Sequence, residues 1–423
     1  MTTTHQAVTC LGCGCACDDI AVTTADGAIT RIDRACALGR AWFEGASVPA
    51  ACTVAGVAAG PEPALQAAAR ALLAAEGDLL VVLGPDLSTE AVRWALHAAD
   101  RLRATVDTAT SSAAGEGILA AQRRGRAGAT LGEIRNRGDV VVFWGVDPAQ
   151  RYPRYGERYA PGPPGVHVPE GRASRTVVSV TVGDDAGPED ADVHLGVAPA
   201  DEVDVLAAMR AVVQGRAVDD LAEPLAGAAA LAQRLMKASY AVLVHDGEPQ
   251  AAARSPRRTE ALITLVQALN TPTRAALSTL RAGGNANGAE AALTWQTGYP
   301  FAVDFADGHP RYAPGARGLD ALAAGRFRAA LVCGEWRGLA EPARAALAAI
   351  PTVLVGPAAS TAPFPVAVAI DTGRAGIHEG GTAYRLDDVP LPLRPVLPHP
   401  RAADGVLASL ACHLADPAFA GRS

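Results

Sequence analysis

The apolar positions of this chain fall into short, nearly continuous runs separated by longer stretches of helical period. Asp78–Leu83 (DLLVVL), Asp139–Trp144 (DVVVFW) and Thr176–Val182 (TVVSVTV) read as strands buried on both faces, as do Tyr240–Val244, Ala329–Val332 and Thr352–Val355. Between them, Ala64–Ala75, Ala200–Val213, Glu260–Asn270 and Glu341–Ile350 read as helices, and Ser88 is placed to cap another that carries Trp94 and His97. Strand and helix alternate throughout, which predicts an α/β fold with mainly parallel sheets. The first fifty residues differ. IAVTTADGAITRI alternates polar and apolar around Asp26–Gly27 and predicts a small hairpin. Ala160–Gly171 (APGPPGVHVPEG) predicts a long surface loop.

With 423 residues, 49% hydrophobic and 19% charged, the chain is globular and long enough for two or three domains. Its net charge of −7 and lack of a basic patch argue against nucleic acid or an acidic membrane surface as partner. No apolar stretch reaches transmembrane length, and no export signal is evident. The cysteines therefore predict a reducing cytoplasm. Lys237 is the sole lysine.

Four of the eight cysteines carry the sharpest chemical signal. Cys10, Cys13, Cys17 and Cys36 are spaced C-x2-C-x3-C-x18-C, with Cys15 a spare beside them. Four grouped thiolates suit an iron–sulfur cluster, one sulfur to each iron. A structural zinc site competes, although zinc knuckles more often use two C-x2-C pairs. Reduced, buried thiols that bind nothing are the third reading. Elsewhere the chemistry is sparse. His245, His309 and His378 form no HxH or HExxH pair, so no zinc hydrolase site is expected, and no GxSxG elbow is present. Gly283–Gly288 (GGNANG) lacks the Lys-Ser/Thr end of a phosphate loop. Trp295, Tyr299 and Phe301 read as core or interface aromatics, and Tyr384 and Arg385 as packing at a domain boundary.

Four blocks resemble the B subunit of formylmethanofuran dehydrogenase, of the molybdopterin oxidoreductase superfamily. They are the cysteine block with CDDI, Trp144–Tyr159 (WGVDPAQRYPRYGERY), Thr294–Gly315 (TWQTGYPFAVDFADGHPRYAPG) and Glu379–Leu391 (EGGTAYRLDDVPL). The resemblance implies a shortened chain of that superfamily. It implies a cysteine-rich β domain over 1–55, a discontinuous α/β domain over 56–125 and 318–412, and a second α/β domain over 126–317. No C-terminal β-barrel is expected.

In that family a tungsten or molybdenum ion on two pterin dinucleotides takes a cysteine or selenocysteine from a TSSVCHG-like loop. The corresponding run here is Ala109–Gly117 (ATSSAAGEG). The ligand position is Ala114, the neighbouring histidine position is Gly115, and the counterpart of a family lysine is Gln66. A methyl group cannot ligate a metal, and Ser111 and Ser112 are hard, weak substitutes. The family's VDxRxT block is Val180–Asp185 (VTVGDD), with Thr181 and Gly183 at the Asp and Arg positions, and Asp147 replaces an Asn. Asp184 and Asp185 stand where an anionic cofactor needs positive charge. Arg281, near the metal in active relatives, becomes a relic or a structural ion-pair donor.

These departures resemble the B subunit of the formyltransferase/hydrolase complex of methylotrophic bacteria, a relative without redox chemistry. That resemblance implies a non-catalytic scaffold in tetrahydromethanopterin-linked one-carbon metabolism. The formyl group passes to methanofuran or methylofuran and leaves as formate, handled by zinc amidohydrolase-like A and C subunits and a formyltransferase D subunit. On this reading one 4Fe–4S cluster on Cys10, Cys13, Cys17 and Cys36 is retained or lost, and the molybdopterin or tungstopterin is absent. The alternative is the catalytic B subunit of a tungsten or molybdenum formylmethanofuran dehydrogenase.

Overall fold

The computed structural model describes residues 1–216, 221–248 and 254–416. By internal contacts the chain divides into two compact units, Met1–Ser112 with Gly283–Ser423, and Ala113–Ala282.

The first unit is built on a nine-stranded sheet whose five central strands are parallel. In spatial order these are Thr105–Thr108, Leu79–Leu83, Ala329–Cys333, Thr352–Gly356 and Val368–Asp371. The apolar runs act as expected for a sheet covered on both sides. Leu79, Val81 and Leu83 face one core, packed with the helices Pro61–Leu73, Thr89–Arg101, Ala286–Thr297 and Ala403–Ala415. Leu80 and Val82 face the other, packed with Leu319–Ala323 and Glu341–Ala348. This is the period-2 alternation of a pleated strand, with both faces apolar. Ser88 caps Thr89–Arg101, accepting from the Ala91 N–H at 3.1 Å.

The predicted hairpin is Ile20–Ala25 and Ala28–Asp33, to which Thr2–Val8 adds a third antiparallel strand. Its turn residues Asp26 and Gly27 have φ of 51° and 78°, the left-handed pair that a two-residue turn between twisted strands requires.

The second unit has a five-stranded, wholly parallel sheet. Its order is Val193–Val197, Thr176–Val182, Val140–Trp144, Ala241–Asp246 and Ala275–Leu280. Glu202–Val213, Leu225–Met236 and Arg258–Leu269 pack its core. The Ala160–Gly171 loop is irregular but tied down. The buried Arg175 guanidinium donates to the carbonyls of Pro161, Pro163 and Arg135, each at 2.7 Å, and of Gly138 at 3.0 Å.

Two expectations need correction. Residues 283–317 were expected in the second α/β domain, yet they lie in the first unit. There Val303–Asp304 pairs antiparallel with Thr105–Thr108 and with Arg311–Tyr312 at the sheet edge. Ala109–Gly117 was expected as a loop, but Ser111–Arg124 is helical. Among the described residues no helix is long and apolar enough to cross a membrane.

Candidate functional site

The cysteine block follows the first strand. Cys10, Cys13, Cys15 and Cys17 are all buried on the loop to the second strand, closed by a 2.9 Å bond from the Cys10 N–H to the Cys17 carbonyl. Cys36 caps the helix Ala37–Glu44, its sulfur accepting from the Gly39 N–H at 3.4 Å. The Gly12 N–H donates to Cys10 Sγ, also at 3.4 Å. Gly39 shows how the two arms meet: a Cβ there would sit 3.1 Å from Cys10 Sγ and 3.9 Å from Cys36 Sγ. A methyl at this position would crowd Cys10 Sγ, while Cys36 Sγ would lie at ordinary contact distance.

The thiols influence one another. Burial pushes Cys10 up to about 12, reinforced by the charges of Cys13, Cys17 and Cys36. Cys13 is pulled down to about 7, chiefly by a hydrogen bond from Cys15, which therefore turns toward the group. None of the eight cysteines is in a disulfide, and among the described residues no set of three or more His, Cys, Asp or Glu side chains is placed to hold a metal ion. The loop packs against the hairpin Gly381–Tyr384/Pro390–Leu393, with Leu386 N–H bonded to Gly14 O at 2.9 Å and Thr9 Oγ1 to Pro392 O at 2.8 Å.

Ala114 and Gly115 are both buried in the opening turns of the helix Ser111–Arg124. The nearby hydroxyls are already committed: Ser111 Oγ donates to Asp107 Oδ2 at 2.9 Å, and Ser112 Oγ to Asp320 Oδ1 at 2.5 Å. Gln66 donates to Glu62 Oε1 at 2.9 Å on the surface of its own helix. Ala109–Gly117 holds no thiol and no imidazole, and its one carboxylate, the exposed Glu116, is a hard donor, so this segment does not fit a pterin-bound tungsten or molybdenum.

Sequence reasoning missed the charge network at the carboxyl ends of the second unit's strands, where α/β sheets bind ligands. Arg254 is clamped between two acids. Its Nε and Nη2 reach Glu202 at 2.9 and 2.5 Å, and its Nη1 reaches Asp185 at 2.6 Å. Glu202 has no exposed surface and also accepts from Trp144 Nε1 at 2.8 Å. Burial alone lowers the Arg254 pKa, but bonding and charge from Glu202, then Asp185, outweigh it and the net shift is upward. Gly145, with φ of 59°, admits this guanidinium: a Cβ there would stand 2.7 Å from Arg254 Nη1.

Around this pair, Arg281 donates to Glu248 Oε1 at 2.6 Å, and Arg151 pairs with Asp246. Arg258 donates to Asp246 O at 2.7 Å and lies beside His245. Burial, then the charges of Arg258, Arg126 and Arg254, hold His245 neutral, with its Nε2 at 3.0 Å from Thr279 Oγ1. Asp185 is thus a counter-ion, Asp184 is exposed, and Asp147 caps a short helix through the Ala149 N–H at 2.9 Å. Arg151, Arg254 and Arg281 are matched by internal carboxylates, and Arg258 is held by a backbone carbonyl. No single motif links these residues in sequence, because they are brought together only by the strand order.

The remaining motif residues are structural. In GGNANG, the Asn285 N–H donates to Pro85 O at 2.6 Å, and a Cβ on Gly284 would lie 2.5 Å from Leu11 O. Gly284 admits the Leu11 backbone, and Gly283 and Gly288 lie against the Pro85 and Asn285 side chains. Tyr299 stacks on Tyr312 with centroids 4.9 Å apart, Phe301 is buried, and Trp295 is 58% exposed against Tyr384. Arg385 is held by Asp387 at 2.6 Å. His378 accepts from the Arg374 N–H at 3.0 Å beside the His399 ring, and His309 is exposed.

Fold and site together define a class: an α/β protein with two parallel-sheet units, a thiol-rich N-terminal loop, and strand ends whose charges are internally balanced. No family model matches the chain. It is 33% identical over 95% of its length, and 94% of the relative, to the B subunit of tungsten-containing formylmethanofuran dehydrogenase 2 from Methanocaldococcus jannaschii. It is 30% identical to the protein of the same name from Methanococcus maripaludis, over 95% of each chain. The chain belongs to the family of formylmethanofuran dehydrogenase B subunits. Its fold is also similar to a chain in the crystal structure of the formyltransferase/hydrolase complex from Methylorubrum extorquens in complex with methylofuran. The TM-score is 0.72 and the identity 26%, covering 86% of this chain and 98% of that one.

Proposed function

We propose that this chain is a non-redox structural subunit of a cytoplasmic formyltransferase/hydrolase complex in tetrahydromethanopterin-linked one-carbon metabolism. The observation that carries the reading is Ala114, a buried methyl where the family resemblance calls for the metal's cysteine, beside hydroxyls already bonded to carboxylates. The matched arginines of the second unit support it, since an anionic dinucleotide would have to displace Glu202, Asp185, Asp246 and Glu248 from their partners. Formyl transfer to a methanofuran-type carrier, and its release as formate, then belong to zinc amidohydrolase-like and formyltransferase partner subunits. This chain holds them close, so that a carrier tethered at one site reaches the next at high effective concentration.

The cysteine block fits an iron–sulfur cluster in donor type. Cys10, Cys13, Cys17 and Cys36 would hold it, with Gly12 and Gly39 N–H groups donating to sulfur. A single zinc ion needs every ligand within about 2.3 Å of one point, whereas a cluster spreads its thiolates over separate irons. When bound, such a cluster stores an electron. Without a pterin beside it, its role in this chain is to brace the loop against the Gly381–Leu393 hairpin. Anaerobic protein should show a visible absorption band that Cys13→Ser removes; a colourless wild-type protein containing no iron contradicts retention.

A second reading, the catalytic subunit of a tungsten-containing dehydrogenase, draws on the names of the curated relatives. The purified complex separates the two. It should release formate from a formyl-furan substrate without reducing viologen dyes, and lose that activity by disassembly when this subunit is deleted. Dye reduction that depends on this chain overturns the proposal.

A further inference from the structure

The second unit carries an open groove that the reading above does not use. It lies between the helices Ser111–Arg124, Glu202–Val213 and Arg258–Leu269 and has a volume of about 620 Å³. Val203, Leu206, Ala207 and Arg210 recur at i, i+3, i+4 and i+7, and Arg257, Glu260, Ala261 and Thr264 repeat that spacing. Residues so spaced share one helix face, so two packed helices each turn a stripe toward the groove.

The floor is aliphatic and the rim is cationic. Leu206 is buried, and Val203 and Ala261 are half-buried. Arg123 and Arg124 both hold Glu260, at 3.1 and 2.6 Å. Arg210 and Arg257 have no carboxylate partner among the described residues. With Glu116, the lining sets four guanidiniums against two carboxylates, on a chain whose net charge is −7.

We propose that this groove docks an acidic amphipathic helix of a partner subunit, an inference that rests on the heteromeric reading above. A helix can lay apolar side chains on the floor while its carboxylates meet Arg210 and Arg257 at the rim. Three turns of such a helix span about 16 Å, comparable to the two striped helices that form the walls. A small free anion fits less well, because it would be desolvated against aliphatic side chains with no converging N–H donors. A basic or neutral helix would leave the arginines uncompensated.

The test uses the intact complex. A photocrosslinking p-benzoylphenylalanine replaces the exposed Ala207, and the crosslinked peptide is identified by mass spectrometry. The expected product joins this chain to an Asp/Glu-rich helical segment of another subunit. The double reversal Arg210→Glu/Arg257→Glu should cut the yield at least tenfold, and Arg210→Gln/Arg257→Gln should cut it less. Size-exclusion chromatography reports assembly, and circular dichroism reports folding. If the complex assembles with this chain but the crosslink is missing, reaches a basic or neutral segment, or ignores both charge variants, the groove proposal fails and the subunit reading stands. If the other subunits assemble and this chain stays outside, both fail. Saturable binding of inorganic phosphate at this groove, in place of the crosslink, would mark a small-anion site and also overturn the proposal.

Discussion

Glu202→Gln tests whether Arg254, at the second unit's strand ends, is matched from within. The wild-type carboxylate is fully buried, accepts from Trp144, and takes two bonds from Arg254. Glutamine can keep the Trp144 bond through its carbonyl. Its amide nitrogen then faces the Arg254 guanidinium, donor against donor, and one of the two charges opposing that arginine is gone. Removing one partner of a buried pair costs about 3–5 kcal/mol. Asp185 still holds Nη1 at 2.6 Å, which places the expected loss at the lower end, about 3 kcal/mol. For a unit of this size that lowers Tm by roughly 10 °C. Differential scanning calorimetry and urea melts of wild type, Glu202→Gln, Arg254→Met and the double variant form the assay. The double variant should recover at least half of the loss, because no charge is then stranded. Guanosine diphosphate should shift none of the melts. A single-variant loss below about 1 kcal/mol, or strict additivity, would refute the clamp. Stabilisation of the wild type by the nucleotide would show instead that the guanidiniums are available to an anion.

Two further outcomes follow from buried charges. Burial pushes Glu379 up to about 7, with Asp404 adding to the shift and bonds from Ser88 Oγ and the Ala403 N–H opposing it. Its folded-state pKa is raised, so its contribution to stability is present below the unfolded value near 4.5 and is lost as pH rises through about 7. The loss is of the order of 3 kcal/mol, and urea melts should show Glu379→Gln gaining on the wild type between pH 5 and 7.5; parallel profiles contradict this. Arg175→Met should free the four carbonyls that hold Ala160–Gly171, costing about 3 kcal/mol and opening that loop to limited proteolysis, whereas an unchanged cleavage pattern would deny Arg175 that role.

Much of the architecture was legible because the parallel sheets bury both faces. Runs such as LLVVL and VVVFW admit few other readings, and the strands Leu79–Leu83 and Val140–Trp144 lie where those runs stand. Thr105–Thr108 (TVDT) was not legible. It is a buried strand that carries a carboxylate, and Asp107 is tolerated there only because the N–H groups of Thr108, Ala302 and Leu319 and the Ser111 hydroxyl converge on it. Gly318, with φ of 126°, clears the space: a Cβ would meet Asp107 Oδ2 at 2.5 Å. Ala302, Gly318 and Leu319 lie far off in sequence and leave no periodic trace. The same holds for the site. The spacing of Cys10, Cys13 and Cys17 is a local signal, and so is Ala114 at the position where the resemblance expects a metal-binding cysteine. The clamp of Arg254 by Glu202 and Asp185 joins residues 52 and 69 positions apart and becomes visible only through strand order.

The central claim, that this member of the family works without redox chemistry, is tested most directly by elemental analysis of the anaerobically purified complex. Inductively coupled plasma mass spectrometry, normalised to this chain, should find no stoichiometric tungsten or molybdenum, and extraction should yield no pterin dinucleotide. About one tungsten or molybdenum atom per chain would contradict the account, since Ala114 and its neighbours offer no soft ligand to hold it.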